Sequence, residues 1–211
     1  MERAALRRDF PHIAIDFPEE DIFFRLGGNR FKTVLSPQEL AFYQHHCRQA
    51  FSLIAPCGRF AVEKIGKIYP DGVETGDEFL PLGEKFTAAA NGANCLWYGA
   101  VTVGKAIVDA RDKQSQTAIS AIFDAVGSEC ADKAMDTIFQ LAHAELLRQG
   151  ALLHSRRFSP GYGDMPLELQ KFFHSKLAMS EMGVEVTGNL FLTPEKSVTA
   201  FAFVNRSQET D

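Results

Sequence analysis

The sequence predicts an α+β fold, an antiparallel sheet with flanking helices. Two observations carry that expectation. Strand-like and helix-like stretches come in blocks and do not alternate one by one, as a parallel doubly wound sheet would require. Near the C-terminus, Val198, Ala200 and Ala202 alternate with Thr199, Phe201 and Phe203 after two short β-rich runs, the pattern of antiparallel strands.

Residues 1–35 form an N-terminal arm, in which Pro11, Pro18 and Gly27-Gly28 interrupt short apolar runs around one short helix over Glu19–Arg25. Residues 36–211 form the α+β domain, with the arm packed on it as one unit. Ser36-Pro37-Gln38-Glu39 is a helix start, with Ser36 as N-cap, Pro37 in the first turn and Glu39 closing a capping box. That helix runs to about Ile54, before Pro56 and Gly58. Between Arg59 and Val103 the pattern changes to strands, one from Phe60 to Ile68 and one over Cys95–Val103. Pro70-Asp71-Gly72 turns after the first, and Asn91-Gly92 leads into the second.

From Ser115 to Gln149, Ile119, Ile122, Val126, Cys130, Met135, Ile138, Ala142 and Leu146 recur at helical spacing. One helix of that length is about 50 Å long at ~1.5 Å per residue, so a kink or close packing is expected at Gly127-Ser128. Gly150 stops it. Asp164 is expected to cap a further helix over Pro166–Met182, ended by Gly183. A hairpin follows, in which Val184–Thr187 and Leu190–Leu192 lead through Pro194-Glu195 into the return strand Val198–Phe203.

Composition excludes several classes. With 22 basic against 27 acidic residues and no basic run beyond Arg7-Arg8 and Arg156-Arg157, a nucleic-acid groove is not expected. No stretch approaches the ~20 apolar residues of a membrane span. The opening MERAALRRDF lacks the apolar core of a signal peptide. Cys47, Cys57, Cys95 and Cys130 lie far apart, which fits reduced thiols and argues against a zinc or iron–sulfur site. The expectation is a cytoplasmic protein without a metal centre. His45-His46, His154 and His174 read as solvated or packing histidines, and Glu129 and Asp132 as a solvated helix face.

The informative segment is Arg157-Phe158-Ser159-Pro160-Gly161-Tyr162-Gly163-Asp164-Met165-Pro166, a loop between two helices. Pro160-Gly161 makes a tight turn in which glycine supplies a positive φ. A guanidinium and an aromatic ring flank it. The first holds a carboxylate and the second stacks on a purine or a cation, as a small zwitterionic ligand requires. The same residues also fit a surface charge and a ring packed under the loop, and the spacing alone leaves both readings open.

Arg157-x-x-Pro160-Gly161-Tyr162, followed by a helix and by Thr187, Pro194 and Ser197-Val198, resembles the C-terminal activation region of cobalamin-dependent methionine synthase. RFSPGYGDMPLELQ is closer still to free-standing members of that family, and Ala100–Gly104 and Asp124–Ser128 are similar to segments they carry. The resemblance implies a helical and antiparallel-sheet domain that binds S-adenosylmethionine in a shallow site. It also implies docking against cobalamin carried by a partner, a corrinoid-binding protein or methionine synthase. In that family, an electron from a flavodoxin-type reductase and a methyl from S-adenosylmethionine restore methylcobalamin from cob(II)alamin.

On this resemblance the S-adenosylmethionine-binding residues are Arg157, Ser159, Pro160, Gly161 and Tyr162, with no catalytic acid or base. Arg157 takes the methionyl carboxylate and the Ser159 backbone the adenine. Asp21 is the counterpart of an acidic residue that the family's arm places near the ligand amine. Two departures stand out. Gly163-Asp164-Met165-Pro166 replaces a Pro-Ala-Cys-Pro run of the longer enzymes, and the chain ends at Asp211, soon after the last strand. They leave a second expectation, a docking module for a corrinoid protein that no longer binds S-adenosylmethionine. A methyltransferase acting on another acceptor is a third.

Overall fold

The computed structural model describes residues 6–29, 32–76, 78–90 and 92–206. Asn91, half of the expected Asn91-Gly92 turn, lies outside them, as do the two ends of the chain. In chain order the strands are β1 (Leu6–Phe10), β2 (Cys57–Tyr69), β3 (Gly72–Thr75), β4 (Glu78–Leu80), β5 (Cys95–Thr102), β6 (Ala151–Leu153), β7 (Glu185–Val186), β8 (Leu192–Thr193) and β9 (Ser197–Arg206). The helices are α1 (Glu19–Arg25), α2 (Pro37–Phe51), α3 (Glu84–Thr87), α4 (Ala106–Asp112), α5 (Thr117–Arg148) and α6 (Gln170–Lys176).

Among the described residues, seven strands form one antiparallel sheet in the order β4-β3-β2-β5-β9-β6, with β1 on the outer edge of β2. The expected class, α+β with an antiparallel sheet flanked by helices, is the one found. No helix among the described residues is long and apolar enough to cross a membrane.

Side-chain size decides which helix lies on which face. Along β5 and β9, Leu96, Tyr98, Phe201 and Phe203 point to one side, where they pack with Phe86, Phe172 and Phe173 around α3 and α6. Trp97, Val101, Ala200, Ala202 and Val204 point to the other, against Ala134, Met135, Ile138 and Ala142 of α5. The alanines on that face let α5 approach closely, and the Trp97 indole lies over Gly99, where a Cβ would come within 2.6 Å of it. The first half of α5 serves a third cluster, in which Ile119, Ile122, Phe123, Val126 and Cys130 pack with Ile22, Tyr43 and Cys47 of α1 and α2.

The Ser36 capping box forms with both of its hydrogen bonds. α5 is unbroken over 32 residues. Its Gly127 marks close packing, since a Cβ there would sit 3.0 Å from Lys196 Cγ.

Three expectations are corrected. The long helix over Pro166–Met182 divides into α6 and two 3₁₀ turns, Leu167–Leu169 and Met179–Met182. Ala178 breaks it in the left-handed region at φ 47°, and the Arg59 guanidinium, packed beneath, donates to the carbonyls of Leu177 and Ala178 at 2.8 and 2.9 Å. Asp164 does not cap that segment. Its carboxylate accepts from the Lys85 N–H at 3.2 Å, in the first turn of α3. The C-terminal strand does not return along its hairpin partner. β7 and β8 pair only with each other, while β9 lies between β5 and β6. Both faces of β9 are apolar, so it needs cover on both sides, and only the middle of the sheet supplies that.

Candidate functional site

The Arg157 loop leaves the sheet at its β6 edge. His154 N–H still donates to Phe203 O at 2.9 Å, and Phe158 then bridges Phe201 through two bonds of 3.0 and 2.8 Å. Between those anchors β9 advances from Phe203 to Phe201 while the other chain runs from His154 to Phe158, so Ser155, Arg156 and Arg157 bulge out. The bulge carries Arg157 onto α5. There Nη2 donates to Asp136, and the guanidinium lies 4.9 Å from the centroid of the Phe139 ring. Asp136 and Phe139 share a helix face by their three-residue spacing. Arg157 Nη1 is covered and has no hydrogen-bond partner.

Beyond Phe158 the chain makes the expected turn. Tyr162 N–H donates to Ser159 O at 3.1 Å, and Gly161 takes φ 84°, the value such a turn needs at its third residue. A second pair of bonds between Gly161, Met165 and Tyr162 (3.0 and 3.2 Å) closes the loop on itself. Pro160 is buried beneath, and the Tyr162 ring projects outward at 80% exposure. The structure therefore brings Arg157, Ser159, Pro160, Gly161 and Tyr162 together on one short, internally bonded loop.

Asp21 is on the exposed side of α1. The arm residue that reaches the neighbourhood of the loop is Arg25, which pairs with Glu129 and lies 3.5 Å from Asp132. Glu129, Asp132 and Asp136 thus form a stripe along α5, bracketed by Arg25 at one end and Arg157 at the other. Three carboxylates face two guanidiniums. Burial, then Glu129, pushes the Asp132 carboxyl above its ordinary value. The surplus negative charge favours a cationic group beside Arg157. Asp132 is exposed, as a solvated face requires, while Glu129 is half-buried beneath Arg25 of the arm. Asp136 and Phe139 were not singled out from the sequence. The signal was available in the recurrence of carboxylates at helical spacing over 129, 132 and 136.

Two further polar clusters lie elsewhere among the described residues. An open groove of about 480 Å³ lies between α4, the end of α1 and the first turns of α5, lined by Arg25, Arg111, Thr117, Ser120 and Asp124. Its cations are already matched, since Arg111 pairs with Asp124 at 2.7 Å and with Glu195 at 2.8 Å. Lys196, 8% exposed, joins the same network through Asp124, Glu195 and the Ser128 hydroxyl. Arg111 and Lys196 hold the Glu195 carboxyl down at about 2. Ser180, His174 and Glu185 lie within hydrogen-bond reach, but Ser180 and Glu185 both address His174 Nε2, so the histidine cannot relay a proton between them. His154 is held by Asn205 at 3.1 Å.

No protein-family model matches the chain, and no curated protein matches it. The fold places the protein in a class of α+β domains in which a long helix crosses one face of an antiparallel sheet. A solved structure, the MetH reactivation domain bound to AdoHcy, superposes with a TM-score of 0.67 over 99% of this chain and 80% of that one. Sequence identity is 14%, and the likeness is one of fold.

Proposed function

We propose that the loop Arg157–Tyr162 binds S-adenosylmethionine, and that the protein serves the reductive reactivation of a cobalamin-dependent methionine synthase or related corrinoid protein. One observation carries the ligand assignment. Arg157 is paired through Nη2 but has at Nη1 a covered, charged donor without an acceptor. Such a donor costs on the order of 1–3 kcal/mol when left unmet, and a ligand carboxylate is the acceptor that best removes the cost.

The remaining features suit the rest of the same ligand. The exposed Tyr162 ring offers a face for an adenine, and the surplus carboxylate charge of Asp132 and its neighbours suits an ammonium or a sulfonium. The structural neighbour, a reactivation domain holding AdoHcy, supports the reading at the level of fold. So does the RFSPGYGDMPLELQ string, which resembles the same kind of domain.

Bound S-adenosylmethionine supplies an electrophilic methyl group. The chain's part is to bind and orient: Arg157, backed by Asp136 and Phe139 of α5, fixes the carboxylate end, and the turn at Pro160-Gly161 fixes the direction of Tyr162. Orientation of this kind suffices when the acceptor is itself a strong nucleophile. Cobalamin belongs to the partner, and a flavodoxin-type reductase supplies the electron.

Calorimetric titration of the purified protein with S-adenosylmethionine tests the ligand assignment. The expected result is saturable binding near one equivalent, lost in Arg157→Ala while the variant's melting temperature is retained. Unchanged affinity in Arg157→Ala would remove the loop from the site. Absence of binding in the wild-type protein, together with recovery of a corrinoid protein in a pull-down, would select the docking-module reading.

A further inference from the structure

We infer that Asp136 is a positioning residue of this site: by holding the Nη2 edge of Arg157 against α5 it leaves the Nη1 edge for a ligand carboxylate, and so makes the site selective for adenosyl ligands that carry one. The inference rests on the reading of the Arg157 loop as the ligand site and adds to it the residue that sets selectivity.

Asp136 admits two roles with opposite consequences. As an internal stand-in for the ligand carboxylate, it would compete, and its removal would tighten binding. As a bracket, it would orient Arg157, and its removal would weaken binding.

The geometry favours the bracket. A carboxylate that substitutes for a ligand tends to take a guanidinium fork through both of its terminal nitrogens. Asp136 takes Nη2 alone, and Nη1 is without a partner. Phe139, on the same helix face, supplies a flat support for the guanidinium, and its ring meets the buried Trp97 edge-on at 5.0 Å. Asp136 itself stands beside Ala134, Met135 and Ile138, which are buried against the sheet. Its carboxylate therefore projects from a helical stretch seated on the core. A guanidinium gripped along one edge, over a fixed ring, has its other edge set in direction. Nη1 on that edge is covered as well as unpaired, so a ligand carboxylate reaches it by displacing the atoms that lie over it.

S-adenosylhomocysteine and 5′-methylthioadenosine separate the two roles. Both present adenosine and a thioether, but only the first carries an amino-acid head, with a carboxylate and an ammonium. Decarboxylated S-adenosylhomocysteine, which keeps the ammonium alone, is titrated beside them and is expected to behave as 5′-methylthioadenosine does. The experiment is calorimetric titration of wild type, Asp136→Asn and Arg157→Lys with each compound. Thermal unfolding and the emission of Trp97, the single tryptophan, serve as controls on the fold. In Asp136→Asn, binding of S-adenosylhomocysteine is expected to fall about tenfold, the worth of one charge-assisted contact, while 5′-methylthioadenosine stays within about twofold of wild type. Arg157→Lys keeps the charge but has no second edge, and is expected to lose the same preference. Asp136→Ala gives the same reading if Asp136→Asn does not fold.

Unchanged or tighter binding of S-adenosylhomocysteine in Asp136→Asn overturns the inference and leaves the ligand site standing. Equal weakening of both compounds overturns it as well, because selectivity would then lie elsewhere. Wild-type protein that binds neither compound overturns the inference and the ligand assignment together, a result distinct from any failure of Asp136 alone.

Discussion

The Arg157 guanidinium lies over the ring of Phe139, 4.9 Å from its centroid, while one of its terminal nitrogens bonds Asp136 a turn earlier on α5. This contact joins the loop at the sheet edge to the helix that spans both halves of the molecule. The loop of small and turn-forming residues is closed by hydrogen bonds of its own, and a cation is clamped at its entry.

The acid side of the stability profile should be set by the Arg111–Lys196 network. Arg111 and Lys196 lower Glu195 to about 2 from 4.5, and Lys196 and Arg111 also lower Asp124. A carboxylate depressed in the folded state contributes stability above its unfolded value and loses it as the pH falls through the folded one. Urea midpoints are therefore expected to hold steady down to about pH 4.5 and to drop between there and about pH 2. Glu195→Gln should flatten part of that drop, and an unchanged slope would show that the network is not its source.

Lys196→Met tests the same network at neutral pH. The lysine is almost fully buried, but its partners Asp124 and Glu195 are 42% and 54% exposed and can rehydrate. The expected cost is about 1–2 kcal/mol by urea unfolding, below the 3–5 kcal/mol typical of a broken, fully buried pair.

Gly99→Ala should be costly for a different reason. Its Cβ would lie 2.6 Å from the Trp97 indole, inside a strand whose residues are all buried. Overpacking of this kind costs about 1–3 kcal/mol, and displacement of the indole should shift the tryptophan emission. A variant with wild-type emission and stability would show that the indole is not fixed over Gly99.

Ala178→Gly should stabilise. Ala178 sits at φ 47°, where an L-residue with a Cβ is strained by roughly 1 kcal/mol and glycine is not. The gain is partly offset by the greater freedom of glycine in the unfolded chain, so an increase of about 0.5 kcal/mol is expected by urea unfolding. A loss of stability would mean that the Arg59 contacts already absorb the strain.

Much of the architecture was legible because it is local. Ser36 and Glu39 declare a helix start in four residues, the apolar period from Ile119 to Leu146 spells out α5, and the all-apolar run around Leu96–Val101 marks a central strand. Pro160-Gly161 announced the turn it makes. The errors are of one kind. β9 joins β5 because Phe201 and Ala200 must both be covered, Ala178 is bent by Arg59 from a distant strand, and Asp164 serves the first turn of α3. Each of these choices depends on a partner far along the chain, which no local pattern records. The same holds at the site, where the loop was visible but its supports, Asp136, Phe139 and the Arg25 clasp on Glu129, were not.

The most direct test of the central claim is a crystal structure of the protein with S-adenosylhomocysteine. The account predicts the ligand carboxylate on the unpaired edge of Arg157, within hydrogen-bond distance of Nη1, with the adenine beside Tyr162 and Asp136 still on Nη2. A ligand bound away from the loop, or an Arg157 that keeps only its contact with Asp136, would contradict it.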